Sequence, residues 1–139
     1  MIPVNIPLIT DEDRDSVNKA LVDGWISGDG PVVQEFETTV ASQVGRSHAV
    51  AVSNGSDAIE LALRVLDLQP GDEVILPSFT IISCLAPILR AGLVPVFVDS
   101  DPDTWNMRTD LLEEAISEKT KAILVVHIYG LSTDMGEVT

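Results

Sequence analysis

The sequence predicts an α/β fold built on a mostly parallel sheet with helices on both faces, and three observations predict it. Four short apolar runs, at residues 48–52, 73–76, 94–98 and 121–126, have the length and unbroken hydrophobicity of strands covered on both faces. Segments with helical spacing lie between them, giving a βαβαβαβ rhythm. Right-handed crossovers then lay those helices over the sheet.

The elements follow in chain order. Thr10-Asp11-Glu12-Asp13 is a helix start, with Thr10 as N-cap and acids in the first turn. Val17, Ala20 and Leu21 share one face of that helix, and Gly24 ends it. Gly28-Asp29-Gly30-Pro31 is a loop. A second helix carries Val33, Phe36 and Val40 on one face and stops at Gly45. After the strand at 48–52, residues 56–68 form the clearest helix. Ala58, Leu61, Ala62, Val65 and Leu66 line one face, and Asp57, Glu60 and Arg64 face away. Residues 110–116 read as a further helix, and Thr133-Asp134-Met135 as the beginning of another.

Composition narrows the function. The chain has 139 residues, enough for a real core, and 45% of them are apolar, which favours a globular class. A formal charge of −14, spread along the sequence, argues against a nucleic-acid partner and reads as a solvated surface. The lone cysteine, Cys84, sits in an apolar run and is expected to be buried, with no disulfide within the chain. The N-terminus shows no signal-peptide pattern. The longest uncharged stretch, 74–89, contains Pro77 and Pro87 and is too short for a membrane span, so a cytoplasmic protein without a membrane partner is expected.

The most informative segment is the strand-to-helix turn Asn54-Gly55-Ser56-Asp57. A helix beginning there aims unpaired N–H groups, and the positive end of its dipole, at whatever docks against it; a phosphate suits such a place. Gly55 lets a ligand approach the backbone closely, and Ser56 adds a hydroxyl. An ordinary capped turn would have the same local sequence. There is no GxGxxG and no Walker lysine. Asp99-Ser100-Asp101-Pro102-Asp103 invites a calcium reading but fails the EF-hand pattern, with Thr104 at the sixth position and Asp110 at the twelfth, and reads as a solvated turn. His48 and His127 border apolar runs without a second ligand nearby, so no metal is expected. Trp25, beside Ser27 and Gly28, is either an apolar staple or part of a site wall.

Several segments taken together carry a family resemblance. They are Gly24-Trp25-Ile26-Ser27-Gly28, Glu35-Phe36-Glu37, residues 49–58, the run from Gly71 to Thr80, Pro95-Val96-Phe97-Val98-Asp99, and Val126-His127-Ile128-Tyr129-Gly130. In this order and spacing they closely resemble the pyridoxal-phosphate sugar aminotransferases of the DegT/DnrJ/EryC1/StrS type, from about residue 6 to residue 135. The resemblance implies a partial large domain of the fold type I, aspartate-aminotransferase-like fold, with residues 1–30 as an N-terminal helix and substrate-side loop and 31–139 as the first part of the cofactor-binding domain. It implies transfer of an amino group, usually from glutamate, to a keto group of a nucleotide-linked sugar, and a homodimer. The Gly-Trp-Ile-Ser loop is slightly more like enzymes acting at the 4-keto position.

Carried over by position, Gly55, Ser56 and Asp57 hold the cofactor phosphate, and Ile81 occupies the place of the side chain that packs on the pyridine ring. That place often holds an aromatic, so Ile81 forgoes a stacking contribution of about 0.5–1.5 kcal/mol. Trp25 and Ser27 become substrate contacts. The family's Schiff-base lysine and the acid that pairs with the pyridinium nitrogen fall beyond Thr139, and Lys19, Lys119 and Lys121 are not in a matching context. The resemblance therefore implies the N-terminal part of a longer enzyme, inactive by itself, whose sheet has a gap where later strands belong. Two other readings stand beside it: a half-length binding or assembly module that pairs with a lysine-bearing chain, and an unrelated small phosphate-binding α/β domain.

Overall fold

A β-hydroxyl followed three residues later by an acid fixes where the first helix begins, and the computed structural model, which describes residues 2–3 and 5–138, shows the box closed. Thr10 Oγ1 accepts from the Asp13 N–H at 3.2 Å while Asp13 Oδ2 accepts from the Thr10 N–H at 2.7 Å. These bonds favour the charged form, so the Asp13 carboxyl is held below its ordinary range. The chain divides into two compact units, Met1–Ala51 and Val52–Thr139.

The first unit contains α1 (Asp11–Val22) and α2 (Pro31–Gln43). Both helices end on a glycine with positive φ, Gly24 at 78° and Gly45 at 65°. In each, the glycine N–H and the next N–H reach back to the last turn: Gly24 to Leu21 and Trp25 to Ala20, Gly45 to Ser42 and Arg46 to Ala41. This double closure satisfies carbonyls that a helix end leaves open, and it needs a residue free to adopt the left-handed region. The expected apolar faces are largely uncovered. Val17, Leu21 and Phe36 are exposed, and Ala41 is the buried hydrophobic residue of α2.

Residues 48–52 were expected as a strand and do not form one. A strand exists where a neighbour takes its N–H and C=O groups, and among the described residues no segment forms a ladder with this one. The Ala51 N–H goes instead to Glu37 Oε1 at 2.8 Å.

The second unit holds a three-stranded parallel sheet of β1 (Glu73–Pro77), β2 (Val94–Val98) and β3 (Thr120–Ile123) in the order β2-β1-β3. Its helices are α3 (Gly55–Val65), α4 (Ile82–Arg90) and α5 (Leu112–Ala115). Alternation along β1 sends Val74 and Leu76 to one face, where they pack with Leu63 of α3 and Ile88 of α4. Ile75 points the other way, into a cluster with Val98, Met107 and Leu112. Helices therefore lie on both faces, as the sequence predicts.

Two prolines mark the limits of the ladders. Val94 and Ser78 donate to Asp72 and Val98, so even-numbered residues of β1 and β2 bond across their shared boundary. Pro95 then lies on the outward side of β2, where its missing N–H breaks nothing. Odd-numbered residues of β1 face β3: Glu73 donates to Lys119, and Ile75 accepts from Leu124. The next odd residue is Pro77, which has no N–H to give. The ladder stops there, and β3 ends at Ile123 rather than at the expected residue 126.

The buried face of α3 also differs from expectation. Ile59 and Leu63 pack on the sheet, whereas Leu61, Val65 and Leu66 are exposed. The helix carries two apolar stripes, and the position of α4 decides between them. Glu60, expected to face away, accepts hydrogen bonds from Arg64 and, across to α4, from Arg90, each at 2.9 Å. Among the described residues no helix is long and apolar enough to cross a membrane.

Candidate functional site

All three strands point their carboxyl ends to one edge of the sheet. The helix α4 leaves β1 on one face, and α5 leaves β2 on the other. Adjacent strands whose exits diverge in this way open a crevice at the carboxyl edge, the usual ligand position in open α/β sheets. The last turn of α3 and the end of α4 line one hollow with Leu68, Ala91 and Leu93, so the two helices run side by side in the same direction. Their N-termini consequently lie toward the carboxyl edge.

At the N-terminus of α3, Asn54 is the N-cap, with Oδ1 accepting from the Asp57 N–H at 3.0 Å. The Asp57 carboxylate is tied down beside it: Oδ2 accepts from Ser53 Oγ at 2.6 Å and from Asn54 Nδ2 at 2.9 Å. The N–H groups of Gly55 and Ser56 and the Ser56 hydroxyl have no protein partner among the described residues. A Cβ built on Gly55 meets nothing within 4 Å, so the approach is open. Of the three residues expected to grip a phosphate, two keep their N–H groups free, and the N–H of Asp57 is already bound by Asn54. The roles of Asn54 and Ser53 were not read from the sequence, although an Asn three residues before an Asp at a helix start is a recognisable cap signal.

The loop after β1 supplies the second part. Ser78 donates its N–H to the Val98 carbonyl at 2.8 Å and its hydroxyl to Asp99 Oδ1 at 3.2 Å. Phe79 packs on Trp105 with ring centroids 5.1 Å apart and planes at 53°. Thr80 Oγ1 is buried without a partner. Ile81, the N-cap of α4, is 65% exposed. Orphaned donors at one helix N-terminus, an exposed aliphatic side chain at another and an unpaired buried hydroxyl between strand and helix fit a ligand with an anionic group and a flat apolar ring.

The loop after β2 is an Asx turn. Asp101 Oδ1 accepts from the N–H groups of Asp103 and Thr104 and from the Thr104 hydroxyl at 2.7–3.0 Å. The Thr104 N–H is the largest influence holding the Asp101 carboxyl below its ordinary range. That oxygen therefore serves its own backbone. His127 Nδ1 accepts from the Thr133 N–H at 3.1 Å, and Cys84 is buried.

The lysines lie elsewhere. Lys119 and Lys121 are at the amino end of β3, opposite the carboxyl edge, and Lys121 Nζ donates to the Glu118 carbonyl. Lys19, Trp25 and Ser27 belong to the first unit. Trp25, 48% exposed, packs over Gly30 and lines a hollow of about 330 Å³ with Lys19 and Glu35. Ser27 is exposed.

Residues 7–139 match the DegT/DnrJ/EryC1/StrS aminotransferase family. The chain belongs to that family. It is 43% identical over 137 residues to the GDP-perosamine synthase of Escherichia coli O157:H7, covering 99% of this chain and 38% of that one. Among solved structures, Spr1654 from Streptococcus pneumoniae in its PLP form superposes with a TM-score of 0.90 at 39% identity, covering 99% of this chain and 35% of the other. An E. coli GDP-4-keto-6-deoxy-D-mannose-3-dehydratase with bound hydrated PLP gives 0.89 at 31% identity, over 98% of this chain and 36% of that one. The fold is thus part of the fold type I large domain found in these DegT/DnrJ/EryC1/StrS proteins. The chain spans little more than a third of the length of the relatives it matches.

Proposed function

We propose that this chain is the N-terminal part of a pyridoxal-phosphate-dependent aminotransferase that moves an amino group, from glutamate, to a keto group of a nucleotide-linked sugar. The observation that carries the proposal is the pair of unbonded N–H groups at Gly55 and Ser56, at the carboxyl edge of a parallel sheet, in a chain of this family. Pyridoxal phosphate, when bound, supplies the electron sink for amino transfer.

The residues of this chain act as the holder. Gly55 and Ser56 offer backbone N–H groups to the phosphate, Ser56 adds its hydroxyl, and the dipole of α3 favours the negative charge. The Asp57 carboxylate is turned onto Ser53 and Asn54 and leaves the Gly55 and Ser56 donors clear. Ile81 packs against one face of the pyridine ring. Trp25 and Ser27, in the N-terminal segment 1–30, contact the sugar substrate, and residues 31–139 contribute to the cofactor domain. The Schiff-base lysine and the acid facing the ring nitrogen come from outside these residues, so the chain alone is inactive. The working enzyme is a homodimer in the cytoplasm.

Binding of pyridoxal phosphate to the chain, followed by ³¹P NMR and tryptophan fluorescence, tests the reading. Ser56→Ala removes one hydrogen bond to a charged group, and at this half-exposed position the expected loss is about tenfold in affinity. Ser56→Thr keeps the hydroxyl and retains binding. An unchanged affinity in Ser56→Ala would refute the phosphate assignment. Amino transfer by this chain alone, or a lysine-bound cofactor absorbance, would refute the division of labour.

A further inference from the structure

The geometry points to Trp105 as a positioning residue that acts through Phe79 to fix the loop carrying Ile81, a role that rests on the cofactor reading above. Trp105 has a φ of 64°, a region that side chains other than glycine, Asn and Asp seldom enter. Something must hold it there, and the surrounding hydrogen bonds do so. The Trp105 N–H donates to the Asp101 carbonyl, the Asp101 N–H to the Asn106 carbonyl and the Arg108 N–H to the Asp99 carbonyl. Ser100 pairs with Met107 in an antiparallel bridge. The Asp101 carboxylate closes the tip on Asp103 and Thr104. The aspartate-rich run that suggests a cation loop in the sequence is, in the fold, a frame that presents one indole ring.

That ring meets Phe79 at a centroid separation within the range of favourable aromatic pairs. Phe79 stands two residues before Ile81, in the short link between β1 and α4. The same link is tied to the exit of β2 by Ser78, through its N–H to Val98 and its hydroxyl to Asp99. Ile81 itself has no side-chain cap holding it and is mostly exposed. Its carbonyl accepts from the Cys84 N–H at 2.9 Å, which ties it to α4, and on the strand side the link is held by the Phe79 ring on the Trp105 ring. An aliphatic side chain on a cofactor ring gains through close dispersion contact, which falls off steeply with separation, so a loose loop weakens it.

The test compares Trp105→Asn, which keeps a left-handed backbone and removes the ring, with Trp105→Phe, which restores an aromatic. Each chain is titrated with pyridoxal phosphate and, separately, with inorganic phosphate, and amide exchange is read at Phe79, Thr80 and Ile81. Trp105→Asn is expected to weaken pyridoxal phosphate by about three- to tenfold, leave inorganic phosphate unchanged and speed exchange in the loop. Trp105→Phe recovers most of the affinity. Unchanged pyridoxal phosphate binding in Trp105→Asn, equal loss of both ligands, or no recovery in Trp105→Phe overturns the inference. Phe79→Leu approaches the same contact without disturbing the backbone at Trp105, and it is expected to match Trp105→Asn; a Phe79→Leu chain with normal affinity also overturns it. Loss of the Ser56 dependence defeats the cofactor reading and this inference together. A retained Ser56 dependence with an insensitive Trp105 defeats this one alone.

Discussion

Replacing Asn54 separates helix capping from ligand binding at the same turn. Its Oδ1 takes the Asp57 N–H at 3.0 Å, and its Nδ2 donates to Asp57 Oδ2 at 2.9 Å. Asn54→Ala removes both contacts and leaves the first turn of α3 without a cap, a change worth about 1 kcal/mol. Asn54→Gly costs only a few tenths of that energy, because water reaches the freed N–H and the extended backbone is kept. Since α3 delivers Leu63 to the sheet core, fraying of its start is felt by the unit as a whole. For an 88-residue unit the alanine variant should lower the midpoint by roughly 4–8 °C and the glycine variant by less than half of that. The ligand response should run the other way. Both variants release the Asp57 N–H, so a phosphate meets three free donors instead of two, and the glycine variant should bind inorganic phosphate more tightly than the parent. Thermal unfolding by circular dichroism gives the first comparison and ³¹P titration the second. Equal destabilisation by the two variants would refute the capping account. Weaker phosphate binding in Asn54→Gly would refute this gain of a donor and point to the Asn54 side chain as either a ligand contact or the restraint that keeps the Asp57 carboxylate off the phosphate.

Other expectations follow from the packing between helices and sheet. Ile88 is fully buried among Leu63, Val74, Leu76 and Leu93, so Ile88→Ala should lose about 2–5 kcal/mol in urea unfolding. The Glu60 carboxyl is held below its ordinary range, chiefly by the Arg64 hydrogen bond and next by that of Arg90. A lowered folded value means that this contribution is fully present above the ordinary glutamate pKa and is lost as the pH falls through the folded one. Stability should thus decline in that acidic window, and Glu60→Gln should flatten this part of the profile measured by urea titration at successive pH values.

The strands 73–77 and 94–98 were legible because each finds its ladder partner inside this stretch of chain, and apolar run length reports such strands directly. Residues 48–52 carry the same signal, but hydrophobicity encodes only a tendency to pair and pairing needs a neighbour. The shortening of β3 depends on the side of β1 to which Pro77 turns, which is a matter of register that no single run displays. The face of α3 was misjudged because periodicity offered two stripes; the ion pair of Glu60 with Arg90, thirty residues away, marks the buried side. The turn at Asn54 was legible as a helix start with open N–H groups, whereas the hold of Asn54 on Asp57 lies in side-chain rotamers. The meeting of Phe79 and Trp105 joins loops far apart in sequence, and no local pattern foretells it.

The placement of the two prolines gives the sheet a direction of growth. Pro95 interrupts the row of donors on the free flank of β2 and so disfavours a further strand there. The free flank of β3 has no proline across Thr120–Ile123 and offers its backbone groups without interruption. Any added strand, whether a later segment of a longer polypeptide or a stray copy of this one, is steered to the same flank. Correct completion and misassembly are therefore rivals for a single surface, and Lys121 is the charged residue within β3, the kind of side chain that disfavours edge pairing.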